Sequence, residues 1–388
     1  MILTKRNFHN KTNQRFYRCT SSKKIATVAI FLAVVWFLSG INETAIASDI
    51  AKKDTTMRKI IDIQSHFLPK KWLAELSKRT EFPFLEKRNE NIWVLHGSPF
   101  EKLPYQVSKS GIDIQHKLKE MDEAGIEIGL LSLSLPGPDN GSAEADKLAK
   151  IANDGIAEIV SKYPTRFRGI ANLGYGNIDE SVKELRRCID TLGFVGLQVF
   201  PFVGGKMSVV DSSMKPIWRI LEEKNIPLIL HPGSPANADY GNYFIGGLMG
   251  YWFDDAMVMV KFILSGTLDE FPNLKIVCPH TWSLLPYLID RLDYQVPRFA
   301  SQFPEIKLKK KPSEYLKNIY TDCNNFSSDD LQYAIKKMGG VNNMMFGSDS
   351  PFIPTSFIVD VAEKAGLTPD EIKKVFSGNA KRLFKINP

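Results

Sequence analysis

The chain has 388 residues, 44% of them hydrophobic and 24% charged, a balance that suits a globular protein with a sizeable core and excludes a disordered or collagen-like one. Its formal charge of +7 is concentrated at one end. The first 47 residues hold seven of the 50 Lys and Arg and one of the 43 Asp and Glu, which leaves the rest at net +1, so no nucleic-acid partner is expected.

In that first segment Lys5, Arg6, Lys11, Arg15, Arg18, Lys23 and Lys24 precede an apolar run, Ile25 to Leu38, and Ala45-Ile46-Ala47 supplies small residues for cleavage. This layout predicts a secretory signal over 1–47 and an exported protein, periplasmic or secreted, that begins near Ser48. The run is shorter than the roughly 20 apolar residues of a membrane span, and an uncleaved anchor is the alternative. Cys19, Cys188, Cys278 and Cys323 have no CxxC or zinc-finger spacing, so no disulfide framework is implied. Cys278, within KIVCPH, reads as a small buried hydrophobe.

The first strand is IIDIQSHFLP, Ile60 to Pro69, an apolar run that ends in ligand-type residues. Gln64 and His66 lie two apart, and side chains alternate along a strand, so both face the same side. A long connection follows from Phe67 to Gly111, with KKWLAELSKR as a short helix and NIWVL as a hairpin strand. Insertions of this kind serve barrel enzymes as lids or substrate walls. His96, beside Gly97, reads as an ordinary loop histidine.

From Ile112 helices and strands alternate regularly. The helix IQHKLKEMDEAG is stopped by Gly125 and followed by the strand IEIGLLSLS. Ser142 is positioned to cap a helix running to Lys162, and FRGIANLGY is the next strand. Asp179 opens a helix through Thr191, before the strand FVGLQVF. The unit recurs as MKPIWRILEEKN with IPLILHP, and as DDAMVMVKFILSGTLDEF with LKIVCPH. Then come the helix WSLLPYLIDRLDY, the strand IYTDC, the helix SDDLQYAIKKMG and the strand NNMMFGSDSPF. Eight apolar strands alternating with helices predict an α/β fold, a (β/α)8 TIM-type barrel with an insertion after the first strand.

Polar residues fall at the strand ends. His231 ends the fifth strand, His280 the sixth and Asp349 the eighth, and in a barrel these ends share one mouth. Imidazole and carboxylate together suit zinc, manganese or iron, and a catalytic site leaves one position open for water or substrate.

These motifs, His66 in IDIQSHFLP, His231 in LILHP, His280 in VCPHTWSLLPYLIDRLD, Asp349 in FGSDSPF and the ending SGNAKRLF, resemble the amidohydrolase superfamily. The resemblance runs from Met57 to Ile386 and is strongest to the aminocarboxymuconate-semialdehyde decarboxylase branch, which includes hydroxybenzoate-type decarboxylases, hydratases and lactonases. It implies His66, His231 and Asp349 as ligands of a divalent metal, zinc first and manganese next, with Asp349 and His280 catalytic. It also implies a homodimer across which Arg291 holds a substrate carboxylate; the alternative for Arg291 is a surface ion pair with Asp290 or Asp293. Three positions depart from the pattern. Gln64 replaces the first metal histidine and is expected to be a weak ligand. Trp282 and Ser283 replace a glycine pair, which would place Trp282 against the substrate. No arginine lies between Arg88 and Arg166. The implied activity is decarboxylation of a small unsaturated or aromatic carboxylic acid. Lactone or amide hydrolysis is the second possibility, and a metal-free ligand-binding barrel the third.

Overall fold

The computed structural model describes residues 59–386, apart from 83, 90–91, 98–104, 136, 139–143, 204–206 and 234–240. The expected leader, its cleavage site and the capping Ser142 lie outside the described residues. No helix among those described is long and apolar enough to cross a membrane.

Eight parallel strands form one sheet in sequence order: β1 (Ile60–His66), β2 (Ile126–Ser132), β3 (Phe167–Ala171), β4 (Gly196–Val199), β5 (Leu228–Leu230), β6 (Ile276–Val277), β7 (Ile319–Asp322) and β8 (Met344–Met345). The Ile63 amide donates to the Phe346 carbonyl at 3.0 Å and the His66 amide to Ser350 at 2.8 Å. These bonds, with the parallel bridges Asp62 to Phe346 and Ser65 to Ser350, join the last strand to the first and close the expected barrel.

Each strand leads into a helix: α1 (Ile114–Ala124), α2 (Ala145–Lys162), α3 (Ile178–Asp190), α4 (Lys215–Lys224), α5 (Tyr251–Leu264), α6 (Leu285–Phe299), α7 (Ser328–Lys337) and α8 (Thr355–Lys364). The end signals are local. Asp113 accepts from the Gln115 amide to start α1, and Gly125, at φ +76°, ends it in a left-handed turn. Two expectations shift. The side chain of Asn177, rather than Asp179, opens α3 by accepting from the amides of Asp179 and Glu180. The stretch DDAMVMVKFILSGTLDEF is broken at Ser265-Gly266, where Gly266 has φ +80°, into α5 and a short helix over Thr267–Glu270.

Two apolar clusters fill the structure. The larger packs helices on the outside of the sheet, where the rings of Trp218 and Phe262 stand 5.7 Å apart. The smaller takes Ile61, Ile63, Ile128, Leu130, Ile170, Ile229, Val277 and Met345 from six strands, with Leu383 and Phe384 from the C-terminal helix. It is the filled barrel interior, a packed core rather than a pore.

The insertion after β1 contains the expected helix, over Lys70–Leu76, and an antiparallel sheet of Phe84–Lys87, Trp93–His96 and Tyr105–Gln106. His96 lies on its middle strand, paired with Glu86 at 3.0 Å and stacked on Phe84 at 4.3 Å. Ordinary packing accounts for it.

Candidate metal centre

The seam between β1 and β8 sets the site. Asp62, buried in β1, accepts from the Ser348 amide at 2.9 Å, the Ser348 hydroxyl at 2.6 Å and the Gln64 amide at 3.1 Å. The β1 register against β2 shifts between Asp62 and Ser65. Above that shift Gln64 and His66 both face Asp349, which stands just beyond β8 with φ +58°. On the far side of the seam, buried Lys117 from α1 donates to the Ser350 hydroxyl at 3.3 Å. Burial pushes its pKa down to about 8, although the charge of Asp62 raises it.

His66, His231 and Asp349 bring one ligand atom each to within 4.8 Å of one another. His66 Nδ1 faces the Leu133 carbonyl at 3.2 Å and the Ser132 hydroxyl at 3.0 Å, while His231 Nδ1 faces the Pro232 carbonyl at 2.9 Å. Backbone carbonyls only accept, so each Nδ1 carries a proton, and Nε2 is the atom each ring can offer to an ion. Burial, and then the His66 ring, push the His231 pKa down to about 3, which keeps its imidazole neutral. His66 Nε2 lies 3.1 Å from Asp349 Oδ1. Ligands about 2.1 Å from one divalent ion stand roughly 3.0–3.4 Å apart, so this spacing fits a shared ion.

Gln64 donates from Nε2 to Asp349 Oδ1 at 3.3 Å, while its Oε1 is buried without a hydrogen-bond partner among the described residues. A half-turn of the amide exchanges the two atoms. Such an orphaned oxygen normally costs about 1–3 kcal/mol, a cost that a neighbouring cation would remove. Together these residues fit a divalent ion.

His280 occupies the other side of Asp349, with Nε2 3.9 Å from Oδ2, an ion-pair distance longer than a hydrogen bond. Its Nδ1 is 2.8 Å from Oδ2 of Asp255, a carboxylate on α5 that is 1% exposed. Burial opposes a charge on His280, but the Asp255 hydrogen bond and the two carboxylate charges hold its pKa well above the ordinary value. For Asp349, burial pushes up, yet His280 and His66 hold the carboxyl well below the usual range. Burial moves Asp255 to about 6, so at neutral pH an imidazolium sits between two carboxylates. Stability alone gives little reason for this arrangement, since burying such ions costs several kcal/mol each.

Sequence reasoning did not single out Asp255 or Asp322. Asp255 looks like a first-turn helix acid in the pair Asp254-Asp255. Asp322 ends β7 as His231 closely follows β5, so the same strand-end signal was available. Its Oδ1 accepts from the amides of Thr281 and Asn324, and burial pushes its pKa up to about 7.

Of the two expected substrate-binding residues, Trp282 stands elsewhere and Arg291 lies on the surface. Residues 280–283 all have φ between +54° and +57°, a left-handed run without glycine. Hydrogen bonds hold it: Thr281 Oγ1 donates to the Asn324 carbonyl at 2.8 Å, and the Trp282 amide to Thr321 Oγ1 at 2.7 Å. The turn sends the Trp282 indole into the outer core, where its N–H points at the carbonyl of Ile319, the first residue of β7, at 3.5 Å. At 2% exposure Trp282 packs between helices and strands and does not crowd the mouth. Arg291 is exposed on α6 and has no ion pair among the described residues. Asp290 is taken by Lys337 and Asp293 by Ser313, which removes the expected surface pairs.

The profile of the family described as amidohydrolase matches residues 61–386. The chain belongs to the amidohydrolase family. Within it, the chain is 33% identical over 291 residues to gamma-resorcylate decarboxylase from Polaromonas sp., across 71% of this chain and 89% of that protein. It is 27% identical over 350 residues to 2-amino-3-carboxymuconate-6-semialdehyde decarboxylase from Dictyostelium discoideum, across 84% and 92%. The solved structure of dihydroxybenzoic acid decarboxylase from Polaromonas sp., with bound manganese and the inhibitor 2-nitroresorcinol, superposes with a TM-score of 0.71 at 28% identity, covering 86% of this chain and 98% of that one. The resemblance drawn from the sequence motifs is borne out, and these relatives support a carboxy-lyase without supporting the hydrolase alternative.

Protein loaded with manganese should hold one ion per chain by elemental analysis. His231→Ala and Asp349→Asn should each abolish retention, because each deletes a principal ligand. Gln64→His should tighten binding about tenfold in calorimetric titration, since imidazole is the stronger donor. Equal affinity in Gln64→His and the parent would place Gln64 away from the ion.

Proposed function

We propose that this protein is a metal-dependent decarboxylase of a small aromatic carboxylic acid. His66, His231 and Asp349 would hold the ion, and Gln64 would be a weak fourth ligand. The ion proposed is manganese rather than the zinc first expected. An amide oxygen and a carboxylate are hard donors, and the manganese-bound Polaromonas structure supports the choice. When bound, the ion supplies a fixed positive charge that anchors the substrate carboxylate and steadies negative charge near it.

The observation that carries the reading is the place of His280, held between Asp255 Oδ2 at 2.8 Å from Nδ1 and Asp349 Oδ2 at 3.9 Å from Nε2, where two carboxylates favour its protonated form. Decarboxylation replaces a C–COO⁻ bond with C–H, so each turnover consumes one proton. A hydrolase must first take a proton from water. The two carboxylate neighbours of His280 favour its protonated form before substrate arrives, with Nδ1 engaged by Asp255 and Nε2 on the side of Asp349. In the proposed reaction His280 Nε2 gives its proton to the ring carbon that bears the carboxylate. The C–C bond then breaks, its electron pair restores the aromatic ring, and carbon dioxide leaves. Asp349 would offer Oδ1 to the ion and Oδ2 to the imidazole, which takes a new proton from solvent before the next turnover. Aromatic side chains suit an aromatic acid: Phe200 lies 5.4 Å from the His231 ring, and Phe352 5.8 Å from His66. A metal-free binding barrel has no use for the charged His280.

His280→Ala should lower kcat about a hundredfold or more at unchanged manganese content, measured as carbon dioxide release from 2,6-dihydroxybenzoate. Asp255→Asn should lower kcat about 10- to 100-fold with KM unchanged. Full activity in His280→Ala would remove its role as acid.

We further propose a homodimer through α6. Tyr287, Arg291 and Tyr294, at i, i+4 and i+7, lie on one exposed face of this helix, the two tyrosines 58% and 60% exposed. Light scattering at micromolar concentration should report twice the chain mass, and Arg291→Ala should raise KM without loss of metal. A fully active monomer would contradict a shared site.

A further inference from the structure

The end of β7 has a part in this site that the roles above leave out. Thr321, Asp322 and Asn324 are fully buried, and all three hold the turn that carries His280. The Trp282 amide donates to Thr321 Oγ1 at 2.7 Å, the Thr281 amide to Asp322 Oδ1 at 3.3 Å, and the Thr281 hydroxyl to the Asn324 carbonyl at 2.8 Å. Just before the turn, the Cys278 amide donates to the Tyr320 carbonyl at 2.9 Å. The turn needs such partners. At φ between +54° and +57°, four successive residues without glycine bring each Cβ close to a carbonyl oxygen, a conformation that does not persist unaided.

The same loop reaches the other side of the acid. Asp322 Oδ1 accepts a second bond from the Asn324 amide at 3.0 Å, and Asn324 Nδ2 donates to the carbonyl of Ser348, the residue before Asp349, at 3.2 Å. Gly347 leaves room for this arrangement, since a Cβ there would stand 2.7 Å from Asp322 Cβ. One carboxylate oxygen therefore ties the turn bearing His280 to the segment bearing Asp349. Asp255 engages the imidazole at Nδ1, but the backbone that places the ring is held from β7. We propose that Asp322 is a positioning residue for the acid, which with Thr321 fixes the His280 imidazole opposite Asp349 and the substrate carbon. The inference rests on the decarboxylase reading, in which proton delivery from Nε2 needs a set distance and direction. Only Oδ1 does this work, because Oδ2 has no hydrogen-bond partner among the described residues. A neutral amide oxygen should therefore serve as well.

The test uses the manganese-loaded full chain with 2,6-dihydroxybenzoate. Asp322→Ala should lower kcat about 10- to 100-fold, the scale of a misplacement of about 1 Å at the reacting groups, with KM within about twofold. Its manganese content and electron paramagnetic resonance spectrum should match the parent. Asp322→Asn keeps an acceptor at Oδ1 and should hold kcat within about threefold of the parent. Thr321→Val removes only the acceptor of the Trp282 amide and should lower kcat about three- to tenfold, the range of one neutral hydrogen bond; it carries the test if Asp322→Ala does not fold. Three results overturn the assignment and leave the decarboxylase reading in place: an unchanged kcat in the variant that carries the test, a loss of manganese or a rise in KM in step with the loss of kcat, or Asp322→Asn as slow as Asp322→Ala. A parent that releases no carbon dioxide from this acid, or full activity in His280→Ala, overturns the reading itself and this inference with it.

Discussion

Three buried imidazoles and one amide converge on the carboxylate of Asp349. Oδ1 lies 3.1 Å from His66 Nε2 and 3.3 Å from Gln64 Nε2, and Oδ2 lies 3.9 Å from His280 Nε2. His231 completes the group from β5. A carboxylate in such surroundings must be compensated, and the constraint spreads outward from it. Backbone bonds from Ile63 and His66 close β1 against the β8 segment, and Asp62 holds Ser348 so that Asp349 meets both Gln64 and His66. The barrel supplies the framework, but this seam decides whether the donors share one point in space.

The same carboxylate divides the chemistry. Its Oδ1 side gathers the His66 imidazole and the Gln64 amide, with His231 close by, an arrangement that can hold a cation. Its Oδ2 side faces a charged imidazole backed by Asp255, an arrangement that stores a proton. Two neighbouring histidines are pushed in opposite directions by their partners. His231, against a backbone carbonyl and another imidazole, is kept neutral; His280, between two carboxylates, is kept charged. Ligand and acid are thus distinguished by surroundings rather than by residue type.

Much of this was legible in the sequence, for a physical reason. Strands buried on both faces must be nearly continuous apolar runs, so a polar residue at the end of each stands out, and His66, His231, His280 and Asp349 were found in that way. What escaped depends on tertiary contact or backbone path. Asp255 partners a histidine 25 residues later across two elements, and no spacing rule reveals it. Trp282 was expected against the substrate because it replaces one residue of a glycine pair; residues 280–283 instead all take positive φ, held by hydrogen bonds with β7 and its loop, and turn the indole into the core. Asn177 displaced Asp179 as a cap because either residue type can accept the first amides, and the deciding backbone geometry is local to the structure. Asp322 carried the same strand-end signal as the histidines and could have been singled out.

The most direct test of the account is the position of the ion itself. Crystals grown with manganese, with diffraction recorded on either side of its absorption edge, should give one strong anomalous peak in the barrel mouth, bounded by His66 Nε2, His231 Nε2 and Asp349 Oδ1, with the Gln64 amide beside it and His280 outside coordination distance. A peak bound to His280, or no peak among these residues in crystals of active protein, would contradict it.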